Sequence, residues 1–180
     1  MISKKFLPFL LASSLLAGAA GFPAAVNAAG VDITADFTDP SFRAMVYNVI
    51  GKTSPAPILD TDTAAITTFN VSNRGIQSLA GIAHLTGLAT FSCSGNQLTS
   101  LPSLPPGLTS LTCDGNQLAS LPSLPSGLKS LSCGVNPLAA LPALPPALTK
   151  LSCYEDQLAA LPTMPPGLTY LDCDGKSQEL

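Results

Sequence analysis

Five cysteines carry most of the reactive potential of this chain: Cys93, Cys113, Cys133, Cys153 and Cys173, each 20 residues after the last. Thiols in that number could form disulfides, hold zinc or act as nucleophiles. A strict period places neighbouring cysteines side by side on parallel strands, with Cα atoms about 5 Å apart and so within disulfide range. Their side chains would project in parallel, however, and the disulfide dihedral could be reached only by twisting the ladder. Zinc needs four sulfurs converging within about 2.3 Å of one point, and a line of thiols spreads them apart. The expected role is that of small buried apolar residues, with no metal and no cofactor. His84 is the single histidine, and no nucleophile motif surrounds it; a surface loop position before Leu85 is expected. Asp60-Thr61-Asp62 opens like a calcium loop but lacks the later Gly and bidentate Glu of such loops. The chain is not expected to be an enzyme.

The period that spaces the cysteines also spaces everything around them. Leu88, Leu108, Leu128, Leu148 and Leu168 lie five residues before each Cys; Phe91, Leu111, Leu131, Leu151 and Leu171 lie two before. Leu98, Leu118, Leu138 and Leu158 follow five after, and prolines recur at Pro102, Pro122, Pro142 and Pro162 and at Pro105, Pro125, Pro145 and Pro165. One unit reads L-x-x-L-x-C-x-x-N-x-L-x-x-L-P-x-L-P-x-G. A domain built around one central core would not repeat its apolar positions so regularly. A solenoid does, because each coil adds the same side chains to a continuous core.

Within a coil, alternate residues of L-x-x-L-x-C point to opposite faces of a short strand. Leu111 and Cys113 therefore point inward, and Ser110, Thr112 and Asp114 outward. Asn96, Asn116 and Asn136 come where the chain bends out of the strand, and their amides suit the unpaired backbone of a bend. The return path, L-P-x-L-P-P-G, cannot be a regular helix, because its prolines remove donors and fix φ. It is expected to be extended and polyproline-like, with Gly107, Gly127 and Gly167 turning the chain into the next strand.

This unit resembles the short leucine-rich repeats of bacteria, in particular the L-P-x-L-P-x-x-L units of Gram-negative secreted effectors, over Leu88 to about Asp174. Before it, Ile66 to Val71 and Ile76 to Ile82 resemble the 22-residue repeat of internalin-type proteins, with Arg74 at the turn position usual for Asn. Upstream, Asp39 to Gly51 places apolar residues at helical spacing, with Pro40 at a helix start and Gly51 at its stop; this resembles the helical cap that precedes such repeats. The resemblance implies a leucine-rich-repeat solenoid with short parallel strands on the concave face, an extended convex side and a small helical N-terminal cap. The expected organisation is a signal peptide over residues 1–28, cap and linker over 29–65, an internalin-like repeat over 66–87, and four 20-residue repeats with a partial terminal repeat over 88–180.

The start of the chain supports export. Lys4 and Lys5 precede an apolar stretch from Phe6 to about Phe22, and small residues through Ala29 offer a cleavage point after Ala28. Cleavage would leave 6 Lys and Arg against 11 Asp and Glu, a net charge near −5. That balance excludes a nucleic-acid footprint and attraction to anionic lipid; no second apolar segment of spanning length follows. The mature protein is expected outside the cytoplasm without membrane insertion, whether extracellular, on the cell surface or in the periplasm. The ubiquitin-ligase domain carried by some effectors of this type is not expected after the last repeat.

What remains for function is the outward face of the strands. Its first three rows are small and bland, whereas the last two offer Lys150, Tyr154, Tyr170, Asp172 and Asp174, with Glu155 and Asp156 at the rim. Asp114 adds an earlier acidic position. Tyrosine is enriched in binding hot spots. The expected function is a protein-interaction module that holds a protein or glycan on this concave face. Two other readings stay open: a structural module that self-associates through an uncapped C-terminal coil, or a truncated remnant of a longer repeat protein.

Overall fold

A computed structural model describes residues 30–173 and the backbone of 176–179. The expected signal peptide and Asp174 lie outside the described residues. Six short strands stack in chain order into one parallel sheet: β1 (Thr68–Asn70), β2 (Thr90–Ser92), β3 (Ser110–Thr112), β4 (Ser130–Ser132), β5 (Lys150–Cys153) and β6 (Tyr170–Cys173). Phe69, Phe91, Leu111, Leu131, Leu151 and Leu171 stand in direct register across it. The solenoid read from the period is thus the observed architecture. Leu88, Leu108, Leu128 and Leu148 are fully buried, as are Leu98, Leu118 and Leu138, so each apolar column runs as a stack through the core.

The proline-rich return path contains no helix. Each passage closes on a tight turn in which the N–H of Leu108, Leu128, Leu148 or Leu168 donates to the carbonyl of Pro105, Pro125, Pro145 or Pro165, at 3.0–3.1 Å. The glycines expected to drive this turn do not need glycine's freedom: Gly107, Gly127 and Gly167 are not among the residues with positive φ, and Ala147 serves the same column. The left-handed residues sit instead just past the strands, at Gly95, Gly115, Val135 and Glu155, with φ of 54–65°. Val135 is a β-branched residue in a conformation that costs L-residues roughly 1–2 kcal/mol, and its side chain is 40% exposed, so little packing offsets the strain. Val135→Gly should therefore raise the unfolding free energy by about 1 kcal/mol in urea denaturation; a loss of stability would contradict this account.

Helix α1 (Pro40–Val49) covers the first coil. Asp39 caps it by accepting the Phe42 N–H at 2.9 Å, and its other oxygen accepts the Gln77 and Ser78 N–H groups at 2.8 and 3.2 Å. One carboxylate thus starts the helix and ties it to the solenoid. Burial alone would raise its pKa, but the donated N–H bonds more than offset that and hold it below the ordinary value. The short helix α2 (Asp60–Thr63) explains the calcium-like residues. Asp60 accepts the Val31 N–H, and Asp62 accepts the Leu59 N–H and pairs with Lys52. His84, at the end of a 3-10 turn (Ile82–His84), pairs with Asp36 at 2.7 Å, so the histidine links cap and first repeat.

The far end departs from expectation. A seventh strand, β7 (Lys176–Glu179), folds back antiparallel on β6, with Tyr170 opposite Glu179 and Cys173 opposite Lys176. The strand edge expected to be open is occupied by the chain's own last residues, whose backbone supplies the missing ladder partners.

Candidate binding face

The outward strand positions form three columns. Thr90, Ser110, Ser130, Lys150 and Tyr170 align in the first; Ser92, Thr112, Ser132, Ser152 and Asp172 align in the second. Beyond the strand ends, Ser94, Asp114, Gly134 and Tyr154 continue the 20-residue spacing as a third. Large side chains, Lys150 and Tyr170, enter the first column at the last two coils, and Lys150 is exposed there.

Backbone pairing fixes how the third column is built. Asp114 accepts both the Ser132 hydroxyl, at 2.7 and 2.9 Å, and the Gly134 N–H, at 2.8 Å. Its carboxylate, read as a binding contact, is therefore engaged by the next coil. The Tyr154 ring lies over Gly134 so closely that a Cβ there would fall 2.6 Å from the tyrosine Cδ1. Burial raises the Tyr154 phenol pKa, and the charges of Asp114, Glu155 and Asp172 add to the rise. Tyr154 is thus held among acidic groups. Asp172 is within 3.4 Å of the Ser152 hydroxyl through one oxygen, while its other oxygen is buried without a hydrogen-bond partner. The structure brings Asp114, Tyr154 and Asp172 together, with Lys150 and Tyr170 in register on the neighbouring column. Ser132 and Gly134, outward positions that read only as small and bland, seat Asp114 and Tyr154; aligning the chain at its 20-residue period sets each beside its partner.

Two ladders support this face from within. The thiols of Cys113 and Cys133 lie 3.4 and 3.6 Å from the carbonyls of Ser132 and Ser152, and the Cys153 and Cys173 sulfurs are 2.9 Å apart. Burial pushes the Cys93 thiol up to about 12 and raises Cys113, Cys133 and Cys153 as well. These are thiols, not thiolates, at neutral pH, and weak nucleophiles. Beside them runs the amide ladder. Asn116 donates to the carbonyls of Cys93, Cys113 and Asp114 at 3.0–3.2 Å and accepts the Leu98 N–H at 3.2 Å. Asn96 and Asn136 repeat the arrangement.

Asp156 stands one period beyond Asn136 and was expected at the rim. The structure turns it inward instead, where its Oδ1 accepts the Asn136 N–H at 2.9 Å. Glu155 remains exposed.

No family model matches the chain, and no curated protein matches it. Solved structures do. The chain is 31% identical to the functional domain of InlJ from Listeria monocytogenes, which includes a cysteine ladder, over 79% of this chain and 32% of that one, with a TM-score of 0.71. It is 28% identical to a Shigella effector LRR domain over 71% of this chain and 61% of that one, with a TM-score of 0.57. The internalin InlF from Listeria monocytogenes shares the fold at 17% identity, covering 83% and 60%, with a TM-score of 0.58. The chain spans less than two thirds of the length of each. Period, parallel solenoid and buried cysteine column agree with these similarities. The structural neighbours are bacterial leucine-rich-repeat proteins, and the solenoid of this chain is internalin-like in build.

Proposed function

We propose that this protein is a secreted or surface-exposed interaction module that binds a protein, or a glycan, on the concave face of its last two coils, and that it does no catalysis. The observation that carries this reading is the seating of Tyr154 on Gly134 between Asp114 and Asp172, beside Lys150 and Tyr170. An aromatic ring already fixed by its neighbours loses little freedom on binding and presents both area and a hydroxyl. The buried cysteines favour a structural use of the thiols, which supports binding over chemistry. Export rests on the order of charged, apolar and small residues at the start of the chain. Among the described residues no helix is long and apolar enough to cross a membrane.

The test begins with recovery of a partner by affinity pull-down on the mature protein. The double variant Tyr154→Ala, Tyr170→Ala should then weaken that partner more than tenfold, or about 1.4 kcal/mol; an unchanged affinity would remove these residues from the site. A second reading, self-association through the last coil, is favoured by one observation. Leu161 is 43% exposed where Leu101, Leu121 and Leu141 of its column are 7–8% exposed. Light scattering coupled to gel filtration separates the two, since stacking requires a dimer mass at micromolar concentration.

A further inference from the structure

Every amide of the asparagine ladder works twice, as acceptor through Oδ1 and as donor through Nδ2. The carbonyls of Cys93 and Cys113 each receive two ladder amides, from Asn96 and Asn116 and from Asn116 and Asn136. The Cys133 carbonyl receives the Asn136 amide, and the second donor due from the next coil is missing because Asp156 holds that position. Asp156 Oδ1 still accepts an N–H from the preceding coil, that of Asn136, as Asn96 Oδ1 accepts that of Arg74. Its Oδ2 is buried with no hydrogen-bond partner. A carboxylate has no proton to give, whereas a carboxylic acid has one.

We propose that in mildly acidic solution Asp156 sits in the folded solenoid as a neutral acid, its Oδ2–H replacing the ladder amide, so that a proton closes the last turn of the ladder. The surroundings favour that state. Burial lifts the carboxyl to about 6, the Asn136 N–H opposes the rise, and the charge of Asp114 adds to it. The titratable groups packed around it are Asp114 and Cys113 from the coil of β3, Cys133 from the coil of β4, and Cys153, Tyr154 and Glu155 from its own coil. Among the described residues these are all acids.

The direction of the pH effect follows. A carboxyl whose pKa is higher folded than unfolded stabilises the fold fully below its unfolded value near 3.8. That contribution falls as pH rises and is lost above the folded value of about 6. The turn that loses it carries Tyr154, so partner binding would weaken over the same window, a consequence that rests on the proposed binding face.

Hydrogen exchange on the full chain tests the proposal without a partner, so its result stands apart from that of the binding experiment. Corrected for intrinsic chemistry, protection of the Val135 and Asn136 amides, which bond Tyr154 and Asp156 of the next coil, should fall about 50-fold between pH 4 and pH 7, as a rise of about two pKa units from a value near 3.8 requires. Asp156→Asn, which restores the amide, should keep high protection at both pH values. In the wild type, the carbon-13 shift of the Asp156 carboxyl should titrate with a midpoint near 6. A midpoint near 4, or an equal fall of protection in Asp156→Asn, overturns the proposal.

Discussion

Replacing Asn116 by Ala is expected to lower the unfolding free energy by about 3–4 kcal/mol, from the cost of stranding several buried polar groups at once. Asn116 is buried in the middle of the solenoid. Its amide nitrogen serves three carbonyls and its oxygen one N–H, spanning two coils. An alanine leaves those partners behind in a space closed by Leu98, Leu118, Cys93 and Cys113, all buried. Because a solenoid is held by contacts between neighbouring coils, the loss falls on the joint between the coils of β2 and β3 and divides the stack near its centre. Urea denaturation followed by far-ultraviolet circular dichroism measures it; a loss below about 1 kcal/mol would mean that the backbone finds other donors. Asn116→Asp should be as damaging at pH 7 and partly recover in acid, since protonation returns one donor.

The period makes most of the solenoid legible in the sequence. Leu108, Leu111, Cys113 and Leu118 mark one coil, and repetition of the set leaves little choice of fold. Asn96, Asn116 and Asn136 were equally visible as bend residues, although their amides reach the preceding coil as well as their own. Asp156 was open to the same counting, but its charge pointed to the surface; burial and the pattern of the column prevail over residue type. The seat of Tyr154 was hidden for a different reason. It depends on Gly134 being the small member of a column that reads Ser94, Asp114, Gly134, Tyr154, and a contact between coils has no signature within either one. The pairing of His84 with Asp36 joins residues 48 apart and carries no local signal. Strand β7 had none either, since Lys176 to Glu179 has no apolar alternation and pairs through its backbone.

Phe42→Ala is the substitution expected to cost most, about 4 kcal/mol, within the range for emptying a buried phenylalanine site. The ring is fully buried and occupies the middle of a line of aromatic contacts. Ring centroids are 5.8 Å apart from Phe37 to Phe42, 6.1 Å from Phe42 to Phe69, and 6.3 Å from Phe69 to Phe91. That line joins the cap to the first two strands. A solenoid exposes its apolar core at each terminus unless something covers it, and here α1 covers it through Phe42 and Val46. Removing the ring leaves a void between α1 and Phe69, while the Asp39 bonds to Gln77 and Ser78 still hold the helix start in place. The expected result is a lower urea midpoint together with increased binding of a hydrophobic dye, as Phe69 becomes reachable. Phe42→Leu, which keeps most of the apolar volume, should recover more than half of the loss. Equal losses for the two variants would show that the aromatic contacts, rather than coverage of the core, hold the cap on the solenoid.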